Sequence, residues 1–190
     1  MDDGNAKGSK PALVVVDVQR AFDAPEWGRR NNPAAEARIA ELLEAWRAAA
    51  APIYHIRHTS NGPDGLFQAG SEAHDFKPEA APRSTEPVIE KRVHSAFIGT
   101  DLERRLREAG ATGIVVAGLT TDHCCSTTVR MASDLGFETT IVSDATATYD
   151  RSAGPGATLP AELIHETALA SLRDEFADVL PTVEAIELLR

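Results

Sequence analysis

Residues 114–132 read IVVAGLTTDHCCSTTVRMA. Ile114 to Ala117 is a short run with no polar side chain, as expected of a strand covered on both faces. The stretch after it reads as a helix that starts at Thr121 or Asp122 and runs to about Leu135. The chain therefore turns from strand to helix around Gly118, and its two cysteines, Cys124 and Cys125, fall in the first helical turn.

The same alternation recurs on either side. Upstream, Ala12 to Val18 (ALVVVDV) is a buried-type strand. Asn32-Pro33 offers an N-cap and a first-turn proline for a helix through residues 34–50, with Ile39, Leu42, Leu43 and Trp46 on one stripe. Pro52 to His58 (PIYHIRH) reads as a second strand and VIEKR, from Val88, as a third. Between them, Thr59 to Pro87 is rich in Gly, Pro and charge without a period; so long a connection is often functional. Thr100 and Glu103 form a capping-box pattern for the helix DLERRLREAG, which Gly110 closes.

Downstream, FETTIVSDA (Phe137 to Ala145) is a strand, AGPGATLP a loop, Ala161 to Arg173 a helix, and Val179 begins a last extended segment. Strands alternating with helices predict an α/β fold, three-layered and Rossmann-like, with a parallel sheet of about six strands flanked by helices on both faces. Residues 11–190 are expected to form a single domain behind a flexible tail, residues 1–10.

Composition excludes several functions. Nineteen basic and 29 acidic side chains give a formal charge of −10, a poor match to nucleic acid or an anionic membrane. No apolar run approaches the ~20 residues that span a bilayer, and the first ten residues lack a signal-type apolar stretch. Adjacent cysteines cannot staple distant parts of a fold, so no disulfide framework is indicated. The cytoplasm is the expected compartment. No Gly-rich phosphate loop is present, so no nucleotide cofactor is expected. The apolar Leu163, Ile164, Ala168 and Leu172 of the late helix, with the long loop, suggest surfaces that two copies would cover, hence a homo-oligomer.

In a parallel sheet, ligands bind beyond the carboxyl ends of the strands. Three residues with chemistry sit there: Asp17, Lys91 and Cys124. Cys124 is either a small buried packing residue or a thiol whose pKa a helix N-terminus or a nearby cation lowers. Cys125, about 100° around the helix, belongs to the packing. Asp17 interrupts an apolar run, and Gln19, two residues on, would share its face and could hold the carboxylate. Lys91 is a cation that would favour both anions. His123 is badly placed to serve Cys124, since helical neighbours do not face each other. His55 and His58 point to opposite faces of a strand, which argues against joint metal ligation; His58, at the strand end, is the better pocket candidate.

Asp17, Lys91 and Cys124, in that order on successive strand ends, resemble the isochorismatase-like cysteine hydrolases. The similarity runs from about Pro11 to Thr182 and is carried by VVVDVQRAF, VIEKRVHSAFIGTDLERRL and GLTTDHCCSTTVRMASDLGFETTIVSDA. The resemblance implies a catalytic triad of Asp17, Lys91 and Cys124 and a non-proline cis peptide between Leu119 and Thr120. It also implies an oxyanion hole from the backbone N–H groups of Thr120 and Cys124, and that Phe97 lines the substrate pocket; Gln19, Phe22 and His58 are the other residues expected there. The metal-binding Asp-x-His pattern of the nicotinamidase branch is not matched, so no metal is expected. The implied activity is hydrolysis of a small amide, carbamoyl or related C–N bond through a thioester. Cysteine-free vinyl ether or ester cleavage, or a catalytically silent module, are the alternatives.

Overall fold

In the computed structural model, which describes residues 10–62 and 64–190, the two apolar runs that end at Asp17 and Gly118 lie side by side. In chain order the elements are β1 (Ala12–Val16), α1 (Ala35–Ala48), β2 (Ile53–His58), β3 (Val88–Lys91), α2 (Leu102–Glu108), β4 (Gly113–Leu119), α3 (Ser126–Asp134) and β5 (Glu138–Ala147). A short hairpin, β6 (Arg151–Gly154) and β7 (Ala157–Leu159), is followed by α4 (Ala161–Leu172), β8 (Asp178–Leu180) and α5 (Thr182–Glu187). Six strands form one sheet in the order β3-β2-β1-β4-β5-β8, each pair parallel.

The alternation of side chains along β1 explains the three layers. Ala12, Val14 and Val16 face one way, onto Leu102 and Leu106 of α2, Val129 of α3 and Leu169 and Leu172 of α4. Leu13 and Val15 face the other way, onto Ile39, Leu42, Leu43 and Trp46 of α1 and Ala185 of α5. Each of these large side chains contributes about 1.5–3 kcal/mol through burial. Trp46 also donates its indole N–H to the Pro11 carbonyl at 2.8 Å, so its polar atom is satisfied.

Glycine is required at 118. Its φ is 131°, and a Cβ there would lie 2.0 Å from the Val16 carbonyl oxygen. The tight approach of β4 to β1 is what allows the loops after both strands to share one site.

Several local expectations are corrected. Asn32 does not cap α1: at φ 42° it directs its side-chain amide to the carbonyls of Ser143 and Thr146, 3.0 and 2.7 Å away, tying the helix entry to β5. The capping box at Thr100 is not formed. Thr100 Oγ1 donates to the Ala96 carbonyl at 2.6 Å, while Glu103 pairs with Arg107 one turn on. The segment around AGPGATLP is the β6–β7 hairpin, and α5 is a further helix after the last strand. In α4, Leu172 is buried in the chain's own core, whereas Leu163 is 43% exposed. The expected tail lies outside the described residues except for Lys10, whose ammonium donates to the Ala49 carbonyl at 2.7 Å. No described helix is long and apolar enough to cross a membrane.

Candidate active site

At the carboxyl edge of the sheet the chain leaves β1 towards β2 on one side and β4 towards β5 on the other, and the crevice between is where a ligand fits. Asp17 is the first residue beyond β1, held at φ 52°, a left-handed conformation rare for a residue with a side chain. The Leu119–Thr120 peptide at the end of β4 is cis. Thr121–Cys125 then makes one wide π-type turn before α3, with the Cys125 N–H bonded to the Thr120 carbonyl at 3.2 Å. Cys124 sits in that turn, at the mouth of the crevice.

Lys91 reaches the crevice from the edge strand. It closes β3 opposite His58, the last residue of β2, and its long stem carries the ammonium past β2 towards β1. Lys91 Nζ lies 2.6 Å from Asp17 Oδ2, 3.3 Å from Cys124 Sγ and 3.3 Å from His58 Nδ1. The Lys91 and Asp17 side chains are 0% and 1% exposed, so this is a dry ion pair. Such a pair is costly to bury and strongly disfavours losing either partner. Asp17 Oδ1 is buried with no hydrogen-bond partner among the described residues.

The electrostatics follow from this packing. Burial alone would depress Lys91, but Asp17 and Cys124 more than offset it and its pKa is raised. The Cys124 thiol is pushed up to about 12, by burial first and then by the Asp17 carboxylate; Lys91 opposes both but does not win. The cation lowers the thiol as expected, but burial and Asp17 outweigh it and the net shift is upward. Burial likewise raises the Asp17 carboxyl, against the pull of Lys91 and the contact with Cys124, so the resting site holds a neutral thiol beside the buried Lys91–Asp17 contact. Cys125 is fully buried in the core between sheet and helices.

The cavity above these groups measures about 170 Å³ and is lined by Asp17, Thr120, Cys124, His58, His94, His123, Phe22, Trp27 and Phe67. One wall is aromatic. Phe22 packs on Trp27 and Phe67 with ring centroids 5.0 and 5.1 Å apart, and Tyr149 stacks on Trp27 at 5.3 Å while its hydroxyl donates to the Phe22 carbonyl. Larger concavities, between α3 and α4 and beside Arg47 and Arg83, contain no cysteine.

Of the residues expected from sequence, Asp17, Lys91, Cys124 and His58 converge, and Thr120 and Phe22 line the same cavity. Two do not. Phe97 packs against the core and stacks on Phe137 at 6.2 Å rather than on the cavity. Gln19 does not touch the Asp17 carboxylate, because β1 has ended and strand alternation no longer holds. Its side-chain oxygen accepts the His58 N–H at 2.8 Å, and its amide donates to the carbonyls of His58 and His74. Trp27, Phe67, His94 and His123 are pocket residues that sequence reasoning missed. Phe67 lies in the long Thr59–Pro87 connection, and the aromatic Trp27 just after the first strand was the available signal. Among the described residues no three His, Cys, Asp or Glu side chains are grouped to hold a metal ion.

Comparison with known proteins agrees with this architecture. Residues 11–184 match the family model described as the Isochorismatase domain. The isochorismatase family protein YrdC of Bacillus subtilis strain 168 is 45% identical over 177 residues, covering 93% of this chain and 95% of that protein. Nicotinamidase 3 of Arabidopsis thaliana is 28% identical, covering 87% of this chain and 82% of its own length. A crystal structure of an isochorismatase-family protein from Chromobacterium violaceum superposes with a TM-score of 0.92 at 42% identity, covering 96% of this chain and 95% of that one. The chain belongs to the isochorismatase family and is a hydrolase.

Proposed function

We propose that this hydrolase cleaves a C–N bond of a small molecule, an amide, carbamoyl group or close relative, through a thioester on Cys124. The observation that carries the reading is the buried contact set of Lys91 Nζ, 2.6 Å from Asp17 Oδ2 and 3.3 Å from Cys124 Sγ, with Asp17 and Cys124 lining the cavity. A dry ion pair set against a thiol, placed where the sheet opens, is an expensive arrangement for packing alone.

In this mechanism the free Oδ1 of Asp17 takes the thiol proton as sulfur attacks the carbonyl carbon. The substrate oxygen, now negative, accepts hydrogen bonds from the backbone N–H groups of Thr120 and Cys124. Collapse of the tetrahedral adduct breaks the C–N bond, and Asp17 passes its proton to the departing amine. Water then attacks the thioester, Asp17 receives its proton, and the acid leaves as sulfur regains a hydrogen. Lys91 remains charged throughout and stabilises whichever of Asp17 or Cys124 carries the negative charge. The likeness to a nicotinamidase supports an amide as the bond cleaved.

We further read residues 11–190 as one catalytic domain acting in the cytoplasm as a homo-oligomer, with a small-molecule substrate and without nucleic acid or membrane. The exposed Leu159 and Leu163, 38% and 43% accessible at the hairpin and α4, are the surface that favours self-association. The test of the activity is a panel of small amides, ureas and carbamates assayed for release of ammonia or amine, with Cys124→Ser alongside. Turnover abolished in that variant supports the reading; turnover retained overturns it.

A further inference from the structure

His58 is the pocket residue whose chemistry the proposed triad leaves unused, and its surroundings constrain it. A charged lysine has three N–H donors and no acceptor. Lys91 directs them at Asp17 Oδ2, Cys124 Sγ and His58 Nδ1. A nitrogen facing an ammonium at 3.3 Å must offer a lone pair, so Nδ1 is unprotonated and the ring proton sits on Nε2. Nε2 has no hydrogen-bond partner among the described residues, and the ring lines the cavity edge-on to Phe67 at 5.2 Å. The backbone of His58 is fixed independently. Buried Gln19 takes its N–H at 2.8 Å and gives a hydrogen bond to its carbonyl at 3.0 Å.

We infer that His58 is a specificity-determining residue: a neutral imidazole locked with its proton on Nε2, which it offers to an uncharged acceptor, a carbonyl oxygen or ring nitrogen, on the part of the substrate remote from the scissile bond. Gln19 is the positioning residue that holds it. The rest of the cavity agrees. Its wall is the aromatic set Phe22, Trp27 and Phe67, which favours an uncharged substrate group, and the Lys91 charge is committed to Asp17. Burial and the nearby Lys91 depress the imidazole to about 4, which keeps it neutral at working pH. The charged or titratable groups that face it are Lys91 from β3, Arg92 and His94 just beyond, His74 from the long loop, and Asp17, Cys124 and His123 across the cavity. The assignment of the donor stands on the geometry; only the identity of the acceptor rests on the proposed hydrolysis.

The test has two arms that can fail separately. In ¹⁵N-labelled protein without substrate, long-range ¹H–¹⁵N spectra, with the His58→Gln spectrum used for assignment, should show a protonated Nε2 and a bare Nδ1 from pH 6 to 8. In Lys91→Met, the His58 pKa should rise by a unit or more, since the cation that fixes the tautomer is gone. A ring protonated on Nδ1, a cationic ring at neutral pH, or a titration indifferent to Lys91→Met would each overturn the inference whatever the substrate proves to be. In the second arm, on the best amide of the screen, His58→Phe should raise KM tenfold or more with a smaller change in kcat. His58→Gln, whose amide N–H reaches about where Nε2–H was, should recover most of that loss. Wild-type KM in a folded His58→Phe would overturn the role in substrate binding; an inactive panel with the expected spectra would instead fault the proposed reaction.

Discussion

Replacing Asp17 by asparagine should make Cys124 more reactive towards an alkylating agent while making the enzyme worse at its reaction. The thiol is pushed up to about 12 by burial and then by the Asp17 carboxylate, against the pull of Lys91. Asparagine keeps the shape and removes the negative charge, so burial and the ammonium at 3.3 Å remain. A unit charge at about 4 Å through an effective dielectric of ~20 is worth about 4 kcal/mol, or roughly three pKa units. The thiol should then fall towards 9, and the thiolate fraction at pH 8 should rise by two to three orders of magnitude. Thiolates of lower pKa are weaker nucleophiles, with a slope of about 0.4–0.5, which returns more than one of those orders. The net expectation is alkylation by iodoacetamide roughly 30-fold faster, followed by intact mass at pH 8, with buried Cys125 unmodified. Turnover should fall by about 10²-fold or more, the loss of a general base. Alkylation that is unchanged or slower in Asp17→Asn would refute the resting neutral thiol and the carboxylate as its cause.

Other outcomes rest on the same structure. Lys91→Met keeps the side-chain length without the charge and should lower turnover by about 10²-fold, measured as kcat, because the anions of the reaction lose their stabiliser. Cys125→Ser should cost about 1–2 kcal/mol in denaturant unfolding, from a hydroxyl buried among apolar neighbours, with activity retained. Gly118→Ala should cost about 3 kcal/mol or more, or fail to fold, since its Cβ would sit 2.0 Å from the Val16 oxygen; a variant with the wild-type Tm would contradict the close approach of β4 and β1. Burial would raise Glu36, yet Arg30 and Lys77 hold it down to about 2 from 4.5. A depressed carboxylate contributes stability that is full above pH 4.5 and is lost as pH falls through 2, about 3 kcal/mol here. Glu36→Gln should therefore be less stable near neutrality and show a shallower loss in acid.

The layers were readable because a parallel sheet covered on both faces needs unbroken apolar strands, and ALVVV and IVVAG can be little else. The meeting of Asp17, Lys91 and Cys124 was readable for a related reason: a polar group at the end of such a strand is conspicuous. The features that escaped were set by contacts distant in sequence. Asn32 looks like a cap, but two carbonyls of β5, over 100 residues away, compete for its amide and win. Thr100 and Glu103 satisfy a pattern that the chain does not complete: Thr100 Oγ1 accepts from the Leu102 N–H, and Glu103 turns to Arg107. Gln19 was placed by strand alternation beyond the point where the strand stops. The cavity wall was hidden most thoroughly, because Trp27 and Phe67 lie in irregular segments where no period announces a side chain's direction. His123 was weighed only as a partner for Cys124. It makes no such pair, yet the wide turn before α3 brings both to the same cavity.

The central claim is that Cys124, and not its neighbour, forms the covalent bond to the substrate. Mixing enzyme with an amide identified by the screen, quenching in acid within milliseconds and mapping the acyl mass by peptide fragmentation tests it directly. The account predicts a transient adduct equal to the acyl group, located on Cys124, absent in Cys124→Ser and undiminished in Cys125→Ser. An adduct on Cys125, or steady turnover with no adduct on either sulfur at any time sampled, would contradict it.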